Sequence, residues 1–155
     1  MVRLARREEL ARVNELRRQV NDVHCEGRPD IFRPGFGREM QELIDAMWEG
    51  ENSDVLVAVR DDVICGVACV DYVERPMTPY SLERRFYHVN EFCVDENCRR
   101  QGVGTELMTF IREHAKEKGF ERIELDMWEF NEGARKFYES QGFRTYRRYM
   151  ELASG

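Results

Sequence analysis

The 155-residue sequence has no apolar run approaching the roughly 20 residues needed to cross a bilayer. Its first residues, Met1-Val2-Arg3-Leu4-Ala5-Arg6-Arg7, lack the apolar stretch of a secretory signal. No membrane association and a cytoplasmic location are the resulting expectations. No internal repeat or low-complexity segment is present. The five cysteines are odd in number and none form a Cys-x-x-Cys pair, which argues against a zinc site or a redox dithiol. Cys65, Cys69 and Cys93 fall inside apolar runs and read as small buried hydrophobes of a reducing compartment. The three histidines, His24, His88 and His114, show no ligand spacing with acidic neighbours, so no metal is expected. Basic charge is in deficit: 24 Lys and Arg stand against 30 Asp and Glu, a net charge of −6. That disfavours nucleic acid as a partner, because phosphate needs basic surface. It favours a cationic substrate.

The length suits one ordinary domain, residues 1–155, able to bury a core without disulfides or metal. Hydrophobic residues at 42% beside 35% charged residues mark a globular chain, not a disordered one. Leu10, Val13, Leu16 and Val20 form one helical stripe, and Met40, Leu43, Ile44, Met47 and Trp48 a second. Between them, His24 to Gly37 reads as a loop from its glycines and prolines. Strands are predicted over Val55–Val59, Val63–Val73 and Tyr87–Val94. A helix should start near Gly104, with Val103, Leu107, Phe110, Ile111 and Ala115 on one face and Gly119 as its stop. A strand over Ile123–Trp128, a short helix capped by Asn131, and a last strand over Phe143–Met150 complete the chain. The order predicts an α/β mixed sheet with helices on its faces.

The informative segment is Val94 to Thr105, where a strand hands over to a helix through two glycines and two arginines. The first turn of a helix carries unpaired N–H groups and partial positive charge. Glycines let an anion approach them, and Arg99 and Arg100 add formal charge. A Walker-type loop would need a Lys after Gly104, and a dinucleotide fingerprint a glycine at Leu107; neither is present. A glycine turn that merely starts a helix is the plainer alternative.

Arg99-Arg100-Gln101-Gly102-Val103-Gly104 resembles the Arg/Gln-x-x-Gly-x-Gly/Ala turn of the GCN5-related N-acetyltransferases. In that family the main-chain N–H groups of the turn bind the pyrophosphate of coenzyme A. The run from Asn131 to Phe143 is similar to the family's Asn-x-x-Ala-x-x-Phe-Tyr-x-x-x-Gly-Phe segment. The resemblance implies a mostly antiparallel sheet with a splayed parallel pair, acetyl-CoA as cosubstrate and an amine as acceptor. It also implies a cofactor site built from Cys93, Val94, Arg99, Arg100, Gln101, Gly102, Val103, Gly104, Thr105, Asn131, Ala134, Phe137 and Tyr138. Relatives often pair through sheet edges or helix faces, which leaves a homodimer open.

Attack of an amine on a thioester poses three problems. A lysine-like amine has a pKa of roughly 10.4 and is mostly protonated. An oxyanion develops in the transition state. The thiolate leaves more easily when protonated. Tyr138 matches the family tyrosine that protonates the sulfur; otherwise it is a packed aromatic. Glu91 is the candidate base, directly or through water; otherwise it is an ion-paired strand carboxylate. Alternation sets Glu91 and Cys93 on one face, and His88 on the opposite face from Glu91. The oxyanion is expected at the N–H of Val94 or its neighbour, where the family's strand is bulged. His114 is expected at the surface or its boundary. The early loop offers His24, Glu26, Asp30, Phe32 and Phe36 to the acceptor, and Trp128 and Glu129 face the same region; loop packing or a solvated charge is the plainer reading of each. Two competitors remain. One is a non-catalytic acyl-CoA sensor on the same fold, against which Tyr138 and Glu91 speak. The other is a nucleotide-binding protein, opposed by the missing lysine and glycine.

Overall fold

The computed structural model describes residues 1–154. In the strand over residues 53–60, Val55 and Val57 point to one side while Leu56 and Ala58 point to the other. Both sides are apolar, so the sheet must be covered on both faces. The chain order is β1 (Val2–Leu4), α1 (Leu10–Gly27), α2 (Arg38–Glu49), β2 (Ser53–Arg60), β3 (Val63–Arg75), β4 (Arg84–Val94), α3 (Val103–Glu117), β5 (Ile123–Glu124) and α4 (Glu132–Ser140). The sheet runs β1-β2-β3-β4-β5, antiparallel from β1 to β4 and parallel between β4 and β5. This is the mixed α/β sheet that the sequence predicts.

Two cores result. Leu10, Val13 and Leu16 of α1 and Ile44 of α2 pack on Val55, Val57, Val67, Cys69 and Cys93. On the opposite face, Val103, Leu107, Met108 and Ile111 of α3 pack on Leu56, Ala58, Ala68, Val70, Tyr87 and Val89. The second helical stripe is narrower than its spacing suggests: Ile44 is buried, Leu43 exposed.

A bulge decides the geometry of the centre. Val70 pairs with Val89 and Cys69 with Glu91, so Asn90 is an extra residue on β4. One inserted residue reverses every side chain beyond it. Tyr87 and Val89 face α3, yet so do Phe92 and Val94, while Glu91 and Cys93 turn to α1. His88 therefore shares the face of Glu91, against the expectation from simple alternation. The bulge also lies at Asn90 and not near Val94. Pairing of β4 with β5 stops at His88 and Glu124, two residues before Asn90, and the two strands part there.

Other expectations need correction. β1 is a strand that its three residues did not signal; it is held by pairing with β2. α1 continues to Gly27, so His24, Cys25 and Glu26 are helical. Only Ile123 and Glu124 of the strand over 123–128 pair, because the bulge ends the ladder. Residues 143–150 pair with nothing among the described residues. His114 is buried, with Nδ1 2.8 Å from the Tyr87 hydroxyl, and burial lowers its pKa despite the nearby Asp54.

Candidate active site

The turn after β4 is assembled by contacts outside its own sequence. Asp95 is buried; its carboxylate accepts from the Asn97 amide at 3.0 Å and pairs with Arg12 of α1. Burial pushes its pKa up, but the Asn97 amide, Arg12 and Gln19 outweigh that and hold it below the usual carboxylate value. On the other side, Arg60 of β2 donates to the Gln101 carbonyl at 2.5 Å and pairs with Glu106 of α3 at 3.1 Å. Asp95 and Glu106 are thus taken by Arg12 and Arg60, and Arg99 and Arg100 remain exposed.

Gly102, at φ +79°, is left-handed, a conformation that L side chains rarely adopt. It stands at the N-cap position of α3. Main-chain N–H groups of residues 99–105 donate to no main-chain carbonyl among the described residues; the first such bond is Glu106 N–H to Gly102. No side chain accepts from them either, and 99–102 and 105 are exposed. Such a row of free donors at a helix start is chemically suited to an anion. Val103 contributes only its amide, since its side chain is in the core. Gly104 serves differently: a Cβ there would meet the Phe137 ring at 3.1 Å, so its absence lets α4 close on α3.

α4 follows as the next wall. Asn131 Oδ1 accepts from Ala134 N–H at 3.1 Å and caps the helix. Phe137 lies 5.5 Å from Phe92, and Tyr138 edges Phe92 at 5.9 Å and Phe143 at 5.8 Å. Burial, and then the nearby Cys93 thiol, push the Tyr138 phenol up to about 12. The hydroxyl is therefore fully protonated at neutral pH. Cys93 itself turns into the α1 core, with Sγ 3.3 Å from the Leu16 carbonyl, and burial pushes its thiol up to about 12. Two other thiols meet: Cys98 Sγ is 3.0 Å from Cys65 Sγ, a contact 33 residues apart that no local spacing reveals.

On the α1 side, Glu91 Oε2 accepts from Arg17 Nε at 2.9 Å. Arg17 is only 5% exposed; it also donates to Asn14 and to the Met40 carbonyl, and sits over Phe36. Phe36 is accordingly core and not a free aromatic. His24 stacks on Phe32 at 4.9 Å, Phe32 edges Trp128 at 5.0 Å, and Phe130 closes the group against His24 and Trp128. Burial lowers the His24 pKa, and the Glu91 charge opposes this in part. Of the early-loop residues predicted, His24 and Phe32 thus meet Trp128. Asp30 does not join them: it is exposed and bound by Arg28 at 2.8 Å, which holds its carboxyl below the usual value. Arg17, Arg12, Arg60 and Phe130 escaped sequence reading, because a charged residue on a helix or strand does not announce its distant partner. The Trp128-x-Phe130 repeat was the one local signal.

The model of the acetyltransferase (GNAT) family matches residues 19–143, which spans the anion turn, α4 and most of the sheet. The chain belongs to the acetyltransferase (GNAT) family. A mutant of the BH1408 protein from Bacillus halodurans is 32% identical to this GNAT chain. It superposes with a TM-score of 0.94 over 99% of both chains. The fold is shared with an aminoglycoside acetyltransferase from an uncultured soil metagenome, solved with sisomicin. That pair has a TM-score of 0.70 and 21% identity, over 100% of this chain and 95% of that one. An aminoglycoside N-acetyltransferase in complex with CoA has the same fold, at a TM-score of 0.77 and 16% identity over 99% and 93% of the chains. A probable N-acetyltransferase of Xenopus laevis, camello, is 24% identical over 106 residues, 68% of this chain and 45% of that protein. The match therefore spans about half the length of that curated relative. No helix in the described residues is long and apolar enough to cross a membrane.

Proposed function

We propose that this GNAT protein transfers the acetyl group of acetyl-CoA directly to a primary amine in a ternary complex. The observation that carries the reading is the row of main-chain N–H groups over residues 99–105 with no acceptor among the described residues. Bound to that turn, acetyl-CoA supplies a thioester whose acyl carbon accepts the amine. The amides of Arg99 to Thr105 and the charges of Arg99 and Arg100 would hold the pyrophosphate. Asn131, Ala134 and Phe137 would flank the arm, and the β4 main chain at Cys93 and Val94 would lie along its acyl end. Tyr138, protonated and without a hydrogen-bond partner among the described residues, gives its proton to the departing sulfur. A sensor without chemistry would have no use for such a free phenol.

On the acceptor side, His24, Phe32 and Trp128 offer an aromatic wall for a cation or its carbon chain. The Glu91 carboxylate keeps one oxygen on Arg17 and offers the other to the incoming ammonium group or to a water that relays its proton. Asp30 would contribute charge only after release from Arg28. The net charge of −6 favours polycationic amines, the class to which the sisomicin bound by one structural relative belongs. A thiol-release screen with acetyl-CoA against polyamines, aminoglycosides, amino acids and peptide N-termini tests the reaction. Calorimetric titration with CoA tests the cradle. A Gly102→Val variant, forced out of its left-handed geometry, should lose binding by at least about 10-fold. Unchanged affinity would remove the basis of the proposal.

A further inference from the structure

A second bulge in the sheet places a thiol beneath the glycine turn. Ala58 pairs with Gly66 and Val59 with Ile64, so Cys65 is the extra residue on β3. Ile64 and Val67 pack on the α1 side, while Cys65 turns to the α3 side. Gly66 faces that side as well: a Cβ there would meet Val103 and Leu107 of α3 at 2.9 Å. The first turn of α3 therefore lies close against this stretch of β3, and the chain entering α3 passes over Cys65.

Cys98 completes the contact from that entering chain. Asp95 N–H donates to the Cys65 carbonyl at 2.8 Å, and Cys98 N–H donates to the Asp95 carbonyl at 2.8 Å. These two bonds fold the chain back, and Cys98 Sγ comes to 3.0 Å from Cys65 Sγ. Both are free thiols; Cys65 is buried and Cys98 half-buried, so a small reagent meets Cys98 first. Cys25 and Cys93 lie instead against the carbonyl oxygens of Arg33 and Leu16. A disulfide has an S–S length of about 2.05 Å, so the two sulfurs must close by roughly 1 Å to bond. The sequence carries no Cys-x-x-Cys pair, and this dithiol exists only through the fold.

We infer that Cys65 and Cys98 are a modification site, oxidised to a disulfide by a low-molecular-weight disulfide, and that this bond weakens CoA binding at the adjoining turn. The second half rests on the coenzyme reading of that turn. The reaction is two successive thiol–disulfide exchanges. The Cys98 sulfur, as thiolate, attacks one sulfur of the reagent, and the other half of the reagent leaves as a thiol. Cys65 then attacks Cys98 Sγ and expels the second half. The two protein thiols lose two protons and two electrons, and the reagent takes them up as two small thiols. The bond with Cys65, and then burial, hold the Cys98 thiol above its ordinary pKa. Exchange is therefore slow at neutral pH, and the pair follows a sustained excess of disulfide and not a brief exposure. Cys65 is fixed in the sheet and the core, so Cys98 is the residue that moves. Arg99 follows it directly and carries the first amide of the free row. Charge-assisted hydrogen bonds run at about 2.7–2.9 Å, so a displacement of roughly 1 Å takes that end of the row out of reach. By linkage, bound CoA should oppose the oxidation by the same factor.

The experiment holds the full chain in glutathione buffers from fully reduced to fully oxidised. Disulfides are mapped by mass spectrometry, and each form is titrated with CoA by calorimetry. The oxidised wild type should lose two hydrogens, yield a peptide pair joining Cys65 to Cys98, and bind CoA at least about 5-fold more weakly. Dithiothreitol should restore the affinity. Cys98→Ser, or Cys98→Ala where serine disturbs the fold, should show one affinity in both buffers. That variant keeps Cys25, so a glutathione effect that persists in it overturns the coupling. Absence of the Cys65–Cys98 link at full oxidation overturns the site. A link with unchanged CoA affinity overturns its effect on the turn. A reduced wild type that binds no CoA sinks the coenzyme reading, and the coupling with it, while the mapped link still decides the dithiol.

Discussion

At the scale of single residues, the site is a set of groups whose protonation is fixed by what surrounds them. Tyr138 is half-buried among Phe92, Phe137 and Phe143, and the loss of water around the phenolate drives its pKa to about 12. Such a phenol is an acid at neutral pH and never a base. Tyr138→Phe keeps the packing and removes the proton. The expected result is a fall in kcat of about 100-fold with little change in the Kd for acetyl-CoA, read by thiol release and calorimetry. His24 is the opposite case: burial favours the neutral imidazole, and the Glu91 charge partly restores the cation. Its titration by NMR should fall below the ordinary midpoint of about 6.5. Glu91→Gln should lower it further, because the charge that raised it is gone. An upward shift in that variant would show that Glu91 does not face His24.

At the scale of elements, the turn is held by ties from both cores. Arg12 brings α1 to Asp95, and Arg60 brings β2 to Gln101 and Glu106. The glycine turn thus depends on helices and strands far from it in sequence. β1 is fixed in a similar way. Arg3 binds both oxygens of Glu9 at 2.8 Å, and the Glu9 carboxylate also accepts from the Arg6 amide. The Arg3 bond, opposed by burial and aided by the Arg6 amide, lowers the Glu9 pKa to about 2. The folded protein therefore holds this carboxylate more firmly than the unfolded chain does. The stabilisation is complete above about pH 4.5 and is lost as the pH falls toward 2. Its worth is about 1–2 kcal/mol, less than the full shift implies because the pair lies near the surface. Arg3→Met should flatten the dependence of unfolding free energy on pH across that window, measured by urea titration at several pH values.

At the scale of the whole molecule, the sheet has one edge closed by the short β1 and another, at β5, where pairing breaks off after two residues. The three central strands, β2, β3 and β4, carry side chains into both cores. Loss of either core therefore removes the strands on which the other packs. Unfolding in urea should be one cooperative transition, with circular dichroism and tryptophan fluorescence following the same curve.

Apolar periodicity in the chain determined α1, α2, α3, β2, β3 and β4. Their stripes and runs are long, and burial of an apolar face leaves few arrangements open. The two motifs likewise fixed the glycine turn and α4, because a left-handed Gly102 and an Asn131 cap are local requirements that local residues satisfy. What only the tertiary structure decided has a different physical origin. One bulge residue, Asn90, reversed the faces of β4, and no composition marks where a ladder will slip. The Arg17–Glu91 pair, the aromatic contacts of His24 and the burial of His114 arise between segments far apart along the chain. The tail has every local mark of a strand. A strand, however, exists only as one side of a hydrogen-bonded pair, and whether it pairs is set by what lies beside it in space.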